Sequence, residues 1–371
     1  MPQEQLSIVF AGGGTGGHLF PAIAIAGEIK RIKPEAEITF IGTQHKIEAT
    51  VVPQHGYGFE TIWVSGLRRR LSLENILFPV KIVVALVQSF FLIRRLKPNV
   101  VVGTGGYVCG PPLFIALLLR IPTLIQEQNS YPGITTRLMA SRANEVHLSF
   151  NSSKGYLKRT DNVSISGNPT RADVGNTPRE VGAAYFELSL AKPTLLVFGG
   201  SLGASSINNA VLGILSQLVA GGIQIVWQTG ESDYQRIELE ANRLANTFSG
   251  TVTVQKFIDK MEYAYAVCDL AVCRAGATTV AELSKAGVPS VLVPYPYAAA
   301  DHQTGNARTM VEAGAAVMIK DTELGTVLLS TIRTLIADRA RMRRMQENAR
   351  RVGRPDAASV IARAVLNLAS A

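Results

Sequence analysis

The side chains best suited to chemistry fall where short apolar runs end. Val272-Cys-Arg-Ala-Gly-Ala-Thr-Thr-Val-Ala-Glu-Leu283 begins as a strand and becomes a helix. Residues 270–273 are apolar and of strand length, and Arg274-Ala-Gly276 breaks them. Residues 277–286 then read as a helix, with Val280, Leu283 and Ala286 on one face and Gly287 as its stop. A helix that opens on small residues leaves its first N–H groups unsatisfied, and its dipole makes that end an anion site. Glu282 lies in the second turn, too far along to cap. Its carboxylate could accept from the two vicinal hydroxyls of a ribose. Asp301 and Gln303 fall in a polar loop, where sugar hydroxyls would need partners. An ordinary crossover helix with a charged face explains the same stretch equally well. His18 follows a glycine-rich turn and could act as a general base or a hydrogen-bond donor, or be a solvated histidine. Glu127, at the end of another apolar run, is a second candidate base, with a capping role for Asn129 as the competing reading.

The elements that must position these residues alternate. A strand over 6–10, the turn Ala11-Gly-Gly-Gly-Thr-Gly-Gly-His18, a helix over 19–32 with Pro21 in its first turn and a strand over 38–41 make a βαβ opening. Strand 100–102, turn 103–106, helix 112–119 and strand 123–126 continue it. The pattern restarts with strand 194–198, turn Gly199-Gly-Ser-Leu-Gly203, helix 204–218 and strand 223–227. This order predicts two α/β units with parallel sheets, 1–167 and 168–354, joined near Ser166-Gly-Asn-Pro169. The final helix, 355–371, could pack back on the first unit. Gly12, Gly14 and Gly17 match the G-x-G-x-x-G spacing between a strand and a helix. A dinucleotide site also wants an acid at the end of the second strand, and none occurs after Ile41 before Glu48. The oxidoreductase reading is therefore weak. Three glycine turns at strand ends still favour a ligand cleft there.

The formal charge is +9, and it is uneven: residues 1–167 hold 17 basic and 10 acidic side chains, residues 168–371 hold 20 and 18. The excess suits nucleic acid, phosphorylated ligands or anionic lipid. Residues 76–93 are strongly apolar but interrupted by Pro79, Lys81 and Gln88, with Arg68, Arg69 and Arg70 before them and Arg94, Arg95 and Lys97 after. The clean run is too short to span a bilayer. It fits a segment lying on an anionic membrane surface, with a buried core helix as the alternative. The arginines between 339 and 351 read as a solvated helix face, since no aromatic interleaving or recognition motif marks a nucleic-acid module. Cys109, Cys268 and Cys273 form no CxxC pair and read as buried thiols of a reducing compartment. No basic region precedes an apolar run after Met1, so no secretory leader is expected. No Asp-x-Asp occurs, which points away from a divalent cation and toward leaving-group stabilisation by helix ends and side-chain donors.

Eight motifs occur in an order shared with one family: Gly13-Gly-Thr-Gly-Gly-His18, Gly105-Gly-Tyr-Val-Cys-Gly-Pro111, Glu127-Gln-Asn129, Gly167-Asn-Pro-Thr-Arg171, Gly199-Gly-Ser-Leu-Gly-Ala204, Phe257-Ile-Asp259, Cys273-Arg-Ala-Gly-Ala-Thr-Thr279 and Asp301-His-Gln303. Across essentially its whole length the chain resembles the MurG-type N-acetylglucosaminyltransferases of bacteria. The resemblance implies a GT-B fold, two Rossmann-like domains with parallel sheets facing a central cleft. It implies transfer of N-acetylglucosamine from UDP-N-acetylglucosamine to lipid I, undecaprenyl-diphospho-N-acetylmuramoyl-pentapeptide, giving lipid II. It implies a peripheral enzyme on the cytoplasmic face of the inner membrane, with cell-wall synthesis and division proteins as further partners and no cofactor. Carried over by motif, the substrate-binding residues are Thr15, Gly16, Gly17, Asn129, Arg171, Ser201, Ile258, Ala277, Thr278, Thr279, Val280, Ala281, Glu282 and Gln303. Ile258 would offer backbone groups to uracil and Glu282 would hold the ribose. Ser201, Arg171 and Ala277 to Thr279 would meet the diphosphate, Gln303 and Asn129 the sugar. The first glycine turn would face the acceptor's diphosphate, with His18 as first choice of base and Glu127 as second. The chain departs from the family where Leu202 replaces a common Gln, at Thr304-Gly305, where bulkier residues are usual, and at Cys109, which often corresponds to Ser.

Overall fold

The structure is a computed structural model and describes residues 6–66, 77–245 and 252–370; Arg68, Arg69, Arg70 and Ile76 lie outside them. The chain divides into two compact units. Unit 1 comprises Met1–Thr170 and Pro355–Ala371, and unit 2 comprises Arg171–Arg354. The division falls beyond the 167 boundary read from the sequence, because Asn168 still belongs to unit 1, where its Oδ1 accepts from Gln126 Nε2 at 3.3 Å.

The strands of unit 1 are β1 (Ser7–Ala11), β2 (Glu37–Gly42), β3 (Gly58–Thr61), β4 (Val100–Gly103), β5 (Thr123–Glu127), β6 (Glu145–Leu148) and β7 (Val163–Ile165). They form one parallel sheet in the order β3-β2-β1-β4-β5-β6-β7. Its helices are α1 (Gly16–Ile32), α2 (Ile47–Gln54), α3 (Phe78–Leu96), α4 (Gly110–Leu118) and α5 (Ile134–Met139). Unit 2 contains β8 (Thr194–Phe198), β9 (Gln224–Gln228), β10 (Val252–Gln255), β11 (Leu270–Cys273), β12 (Ser290–Leu292) and β13 (Ala316–Met318), parallel in the order β10-β9-β8-β11-β12-β13. Its helices are α6 (Arg179–Tyr185), α7 (Ser205–Ala220), α8 (Tyr234–Ala245), α9 (Met261–Val267), α10 (Ala277–Ala286), α11 (His302–Glu312), α12 (Leu324–Ala337) and α13 (Arg339–Val352). Helix α14 (Ala357–Ser370) ends the described chain and packs on α1. Both sheets therefore reverse direction of growth once, between β1 and β4 and between β8 and β11.

Unbroken apolar runs become central strands because both sheet faces are covered: Val100 to Val102 and Leu195 to Val197 are all 0% exposed. Helix α10 has the bounds its flanking glycines predict. Gly287 takes φ +70, its N–H donates to Ser284 O at 3.1 Å and the Val288 N–H to Leu283 O at 2.9 Å, a Schellman stop. Helix α1 starts earlier than its apolar pattern suggests, at Gly16, with Thr15 as N-cap. Pro21 thus lies beyond the first turn, and having no N–H it leaves the Gly17 carbonyl without a helical donor. The three cysteines are free and buried, and burial pushes the Cys109 thiol up to about 12.

Helix α14 returns to unit 1 for a packing reason. Its Ile361, Ala362, Val365 and Leu366 join the cluster of Ile8, Phe10, Leu19, Ile25, Ile29, Val100 and Val102. Ile361 is 0% exposed, so Ile361→Ala should destabilise unit 1 by about 2–5 kcal/mol. A urea titration followed by a unit 1 probe would register this as a lower midpoint, and an unchanged midpoint would contradict the packing.

Candidate functional site

The predicted residues divide between the two units, and the glycine turns and helix starts among them follow the carboxyl ends of the strands at the reversal, with Asn129, Ile258 and Gln303 after β5, β10 and β12. In unit 1 the chain leaves β1 into Gly12–Gly17, β4 into Thr104–Gly106 and β5 into Gln128–Asn129, from three neighbouring strands. Ligands of open parallel sheets bind at such an edge.

The first glycine turn is not an empty anion cradle. Glu48, in the first turn of α2 and 1% exposed, reaches it. Its carboxylate accepts from Gly14 N at 2.9 Å, Thr43 N at 3.1 Å and Thr43 Oγ1 at 2.7 Å. A Cβ on Gly13 would lie 2.6 Å from the Glu48 carboxyl carbon, and Gly14 takes φ +80, so glycine is required at both. In the sequence nothing local marks Glu48, which lies beyond the end of the second strand, where a ribose-holding acid is sought. The N–H groups still open at this edge are those at the start of α1, which no side chain caps: Gly16 and Gly17 occupy its first two positions. Thr15 and Gly17 are exposed there.

His18 is half-buried, with its ring packed against Gly105 and Gly106. Its Nδ1 lies 2.8 Å from Gln128 Oε1, and Gln128 Nε2 donates to Thr104 O at 2.7 Å. Nε2 of His18 has no partner among the described residues. Glu127 is 2% exposed and committed on both oxygens. Oε1 accepts from Asn129 N at 3.1 Å and Asn129 Nδ2 at 3.4 Å, Oε2 from Gly133 N at 2.9 Å and Thr136 Oγ1 at 2.7 Å. Asn129 is thereby a partner of Glu127 and not a helix cap.

In unit 2 the turn after β8, Gly199–Gly203, and the turn after β11, Arg274–Gly276, leave from adjacent strands and open α7 and α10. Neither helix has a side-chain cap, and neither has an acid in its first turn. Their leading N–H groups are the anion-attracting feature of this edge. Ser201 and Leu202 are exposed, Leu202 at 87%. Gly203 takes φ +79 with its would-be Cβ 2.1 Å from Thr229 O, which fixes the turn tightly on β9's end. Gln228, 3% exposed at that end, donates from Nε2 to Gly200 O at 2.8 Å and accepts the Ile258 N–H on Oε1 at 2.8 Å. The Ile258 N–H is therefore committed, and of its two backbone groups the carbonyl is the one left for a ligand.

Glu282 is 6% exposed in α10. It accepts from Arg171 Nε at 3.2 Å and from Tyr265 OH at 3.0 Å. Burial, and then the Glu282 charge, push the Tyr265 hydroxyl well above its usual range, so it remains a donor. Burial opposes the Arg171 charge, but Glu282, Tyr265 and Glu262 outweigh it and raise the guanidinium. Ala277 and Val280 turn their side chains into the core, leaving only backbone for a ligand, while Thr278, Thr279 and Ala281 are half-buried. Gln303, in the first turn of α11, accepts the Tyr295 N–H on Oε1 at 2.9 Å. Asn306 of the same helix donates to Ala275 O at 3.1 Å, tying α11 to the turn before α10. Arg274 links the same edge: it bonds Asp321 at 2.5 Å and Ser206 at 2.7 Å and faces the Tyr295 ring at 5.4 Å. The sequence offered one signal for Gln228, an amide closing an otherwise apolar strand run; nothing local marked Gln128 or Tyr265.

The model of the glycosyltransferase family 28 N-terminal domain matches residues 8–148, and that of the family 28 C-terminal domain matches 194–361. The chain is 47% identical to the UDP-N-acetylglucosamine–N-acetylmuramyl-(pentapeptide) pyrophosphoryl-undecaprenol N-acetylglucosamine transferase of Chlorobaculum parvum, over 98% of this chain and 99% of that one. It is 44% identical to the protein of that name from Salinibacter ruber, over 98% and 96%. Among solved structures it is similar to Acinetobacter baumannii MurG, with a TM-score of 0.76 at 28% identity over 98% and 99% of the two chains. A UDP-N-acetylglucosamine 2-epimerase from Listeria monocytogenes, described as putative, shares the fold at 11% identity and a TM-score of 0.67, over 97% and 95%.

If the Glu282 carboxylate contacts a nucleotide sugar, Glu282→Gln should weaken UDP binding about tenfold, the loss of one charged hydrogen bond. Tyr265→Phe should act in the same direction and by less. Calorimetry with UDP checks both, and an unchanged Kd for Glu282→Gln removes that carboxylate from the ligand.

Proposed function

The chain belongs to glycosyltransferase family 28, and from that membership we propose that it moves N-acetylglucosamine from UDP-N-acetylglucosamine to lipid I, giving lipid II, by a single inverting displacement that needs no metal ion. The observation that carries the substrate assignment is the 47% and 44% identity over nearly the full length of relatives that bear this activity in their names.

The chemistry follows from the two edges. In unit 2 the uncapped starts of α7 and α10, with Ser201 and Arg171, take the donor diphosphate. Charge developing on the departing UDP meets fixed amide dipoles and one guanidinium, which is the work a divalent cation does elsewhere. Arg171 reaches the diphosphate by exchanging its contact with Glu282, and Glu282 turns its freed oxygen to the ribose hydroxyls while Tyr265 holds the other. Ile258 reads uracil N3–H through its carbonyl. The amide nitrogen of Gln303, opposite the oxygen engaged by Tyr295, and the Asn129 side chain hold the sugar. In unit 1 the acceptor's diphosphate lies at the start of α1, by Thr15, Gly16 and Gly17. His18 Nε2 takes the proton of the attacking hydroxyl. Glu127 is a positioning residue, since four donors already occupy its carboxylate.

The membrane reading has its own support. No helix among the described residues is long and apolar enough to cross a membrane. Helix α3 buries Ala85, Ser89 and Ile93 but turns Val80, Val83, Val87 and Phe91 outward, 51%, 60%, 50% and 66% exposed. That is an apolar stripe at helical spacing on the outer face. Phe114 and Leu118 of the adjoining α4 are also exposed, and Lys81, Arg94 and Arg95 border the stripe. Apolar residues ringed by cations fit a leaflet of anionic lipid. The core and surface readings of this segment thus describe two faces of one helix. This face would hold the enzyme peripherally on the inner membrane, where an undecaprenyl acceptor resides.

Radiolabel transfer from UDP-N-acetylglucosamine to a lipid I analogue tests the activity. Transfer should persist in excess chelator, and product formed without any acceptor would favour an epimerase on the same fold. His18→Ala should lower kcat by about 10²–10⁴-fold, and normal turnover would remove His18 from the base role. Val83→Asp with Phe91→Asp should abolish co-sedimentation with vesicles containing phosphatidylglycerol while turnover of a short-chain soluble acceptor is kept. Unchanged sedimentation would place the membrane contact elsewhere.

A further inference from the structure

His18 is useful as a base only in one of its two neutral forms. Nε2 is the ring nitrogen left open, so the ring proton must reside on Nδ1. An unrestrained histidine prefers the opposite form, with the proton on Nε2. Something must therefore hold the less favoured tautomer.

The neighbouring amides can do so because their orientation is determined from outside. Gln128 Nε2 faces three oxygens: Thr104 O at 2.7 Å, Gln126 O at 3.3 Å and Gln126 Oε1. Turning the amide over would set Oε1 against all three, a repulsive arrangement in a side chain 1% exposed. Oε1 of Gln128 must then face His18, where it can only accept, and Nδ1 must donate. Gln126 is oriented in the same way. Its Nε2 faces Asn168 Oδ1 at 3.3 Å and Ser149 Oγ at 3.4 Å. Ser149 gives its own proton to Glu127 O at 2.9 Å, so its oxygen is an acceptor toward Gln126. Gln126 Oε1 is thus left for Gln128. The amides of Gln126 and Gln128 point the same way, each donating outward and accepting on the His18 side, an alignment in which hydrogen bonds reinforce one another. Gly105 completes the device: a Cβ there would lie 2.6 Å from His18 Nδ1 and 3.2 Å from Gln128 Oε1, so only glycine lets the two side chains meet.

We propose that Gln128 is a positioning residue which, oriented by Thr104 and by Gln126 with Asn168 behind it, holds His18 in the Nδ1–H tautomer and so keeps Nε2 free to receive the acceptor hydroxyl's proton. This rests on the reading of His18 as base. The arrangement has the logic of a carboxylate behind a catalytic imidazole, with a neutral amide in the carboxylate's place. It begins at Asn168, two residues before the chain leaves unit 1.

Nitrogen-15 correlation spectra of histidine-labelled enzyme report the tautomer directly. In the wild type the His18 signals should show Nδ1–H, and in Gln128→Met they should move toward Nε2–H. The kcat of Gln128→Met should fall on the order of 10²-fold, with KM for UDP-N-acetylglucosamine changed by less than about twofold, because no donor contact in unit 2 is altered. Gln126→Met should give the same tautomer shift to a smaller degree. Wild-type His18 found with Nε2–H, or His18 keeping Nδ1–H in Gln128→Met, would overturn the proposal, and the wild-type spectrum needs no variant to fold. Should His18→Ala turn over normally while these tautomer shifts are seen, the base reading fails and the positioning contact stands.

Discussion

A parallel strand that ends in a turn and opens a helix leaves amide hydrogens with no partner of their own, and the function of each unit follows from what satisfies them. The two sheets share one topology, yet they settle this differently. In unit 1 a buried carboxylate, Glu48, is already bonded beneath the first glycine turn at Gly14 and Thr43. In unit 2 the starts of α7 and α10 carry neither a cap nor an acid. The start of α1 is likewise uncapped and without an acid, so the difference between the units lies in the turn itself, where unit 1 places a carboxylate against the Gly14 N–H. This also explains why the G-x-G-x-x-G spacing at Gly12, Gly14 and Gly17 does not make a dinucleotide site: part of the place a pyrophosphate would take is filled by a carboxylate of the protein itself.

Buried polar side chains, three at strand ends and one on α9, are the second layer of the design. Gln128, Gln228, Glu127 and Tyr265 bond the loops and residues assigned to the ligand and hold them in register. Gln228 is the clearest case, because one amide fixes both the Gly200 carbonyl and the Ile258 N–H. A shift in either loop would cost the other its partner, and a buried amide left half-satisfied is expensive. The loop at Ile258 and the second glycine turn are thereby coupled through one buried amide.

The sequence made the alternation of strand and helix legible, along with the glycine turns and the bounds of α10, because each of those depends on residues close along the chain. Gly287 stops α10 by its own backbone, and Val280 and Leu283 mark its buried face. What stayed hidden depends on strands that are neighbours in space and distant in sequence. His18 meets Gln128 across 110 residues and Arg171 meets Glu282 across 111, contacts that exist only once β1 lies beside β4, with β5 next, and the chain past β7 has crossed into unit 2. The outward stripe of α3 was hidden for a different reason. Its apolar residues occupy both faces of the helix, so periodicity alone could not separate a core helix from a surface one.

The last helix adds a constraint that neither domain model carries. The family's C-terminal domain match runs to residue 361, past the point where the structure hands the chain back to unit 1 at Pro355. Helix α14 is bound there by Ile361, Val365 and Leu366, so the polypeptide passes between the units twice, at Thr170–Arg171 and at Arg354–Pro355. The first crossing is flanked by two of the polar groups already described: Asn168 ends the amide series that leads to His18, and Arg171 pairs with Glu282. Three residues of backbone thus separate the last amide of that series from Arg171.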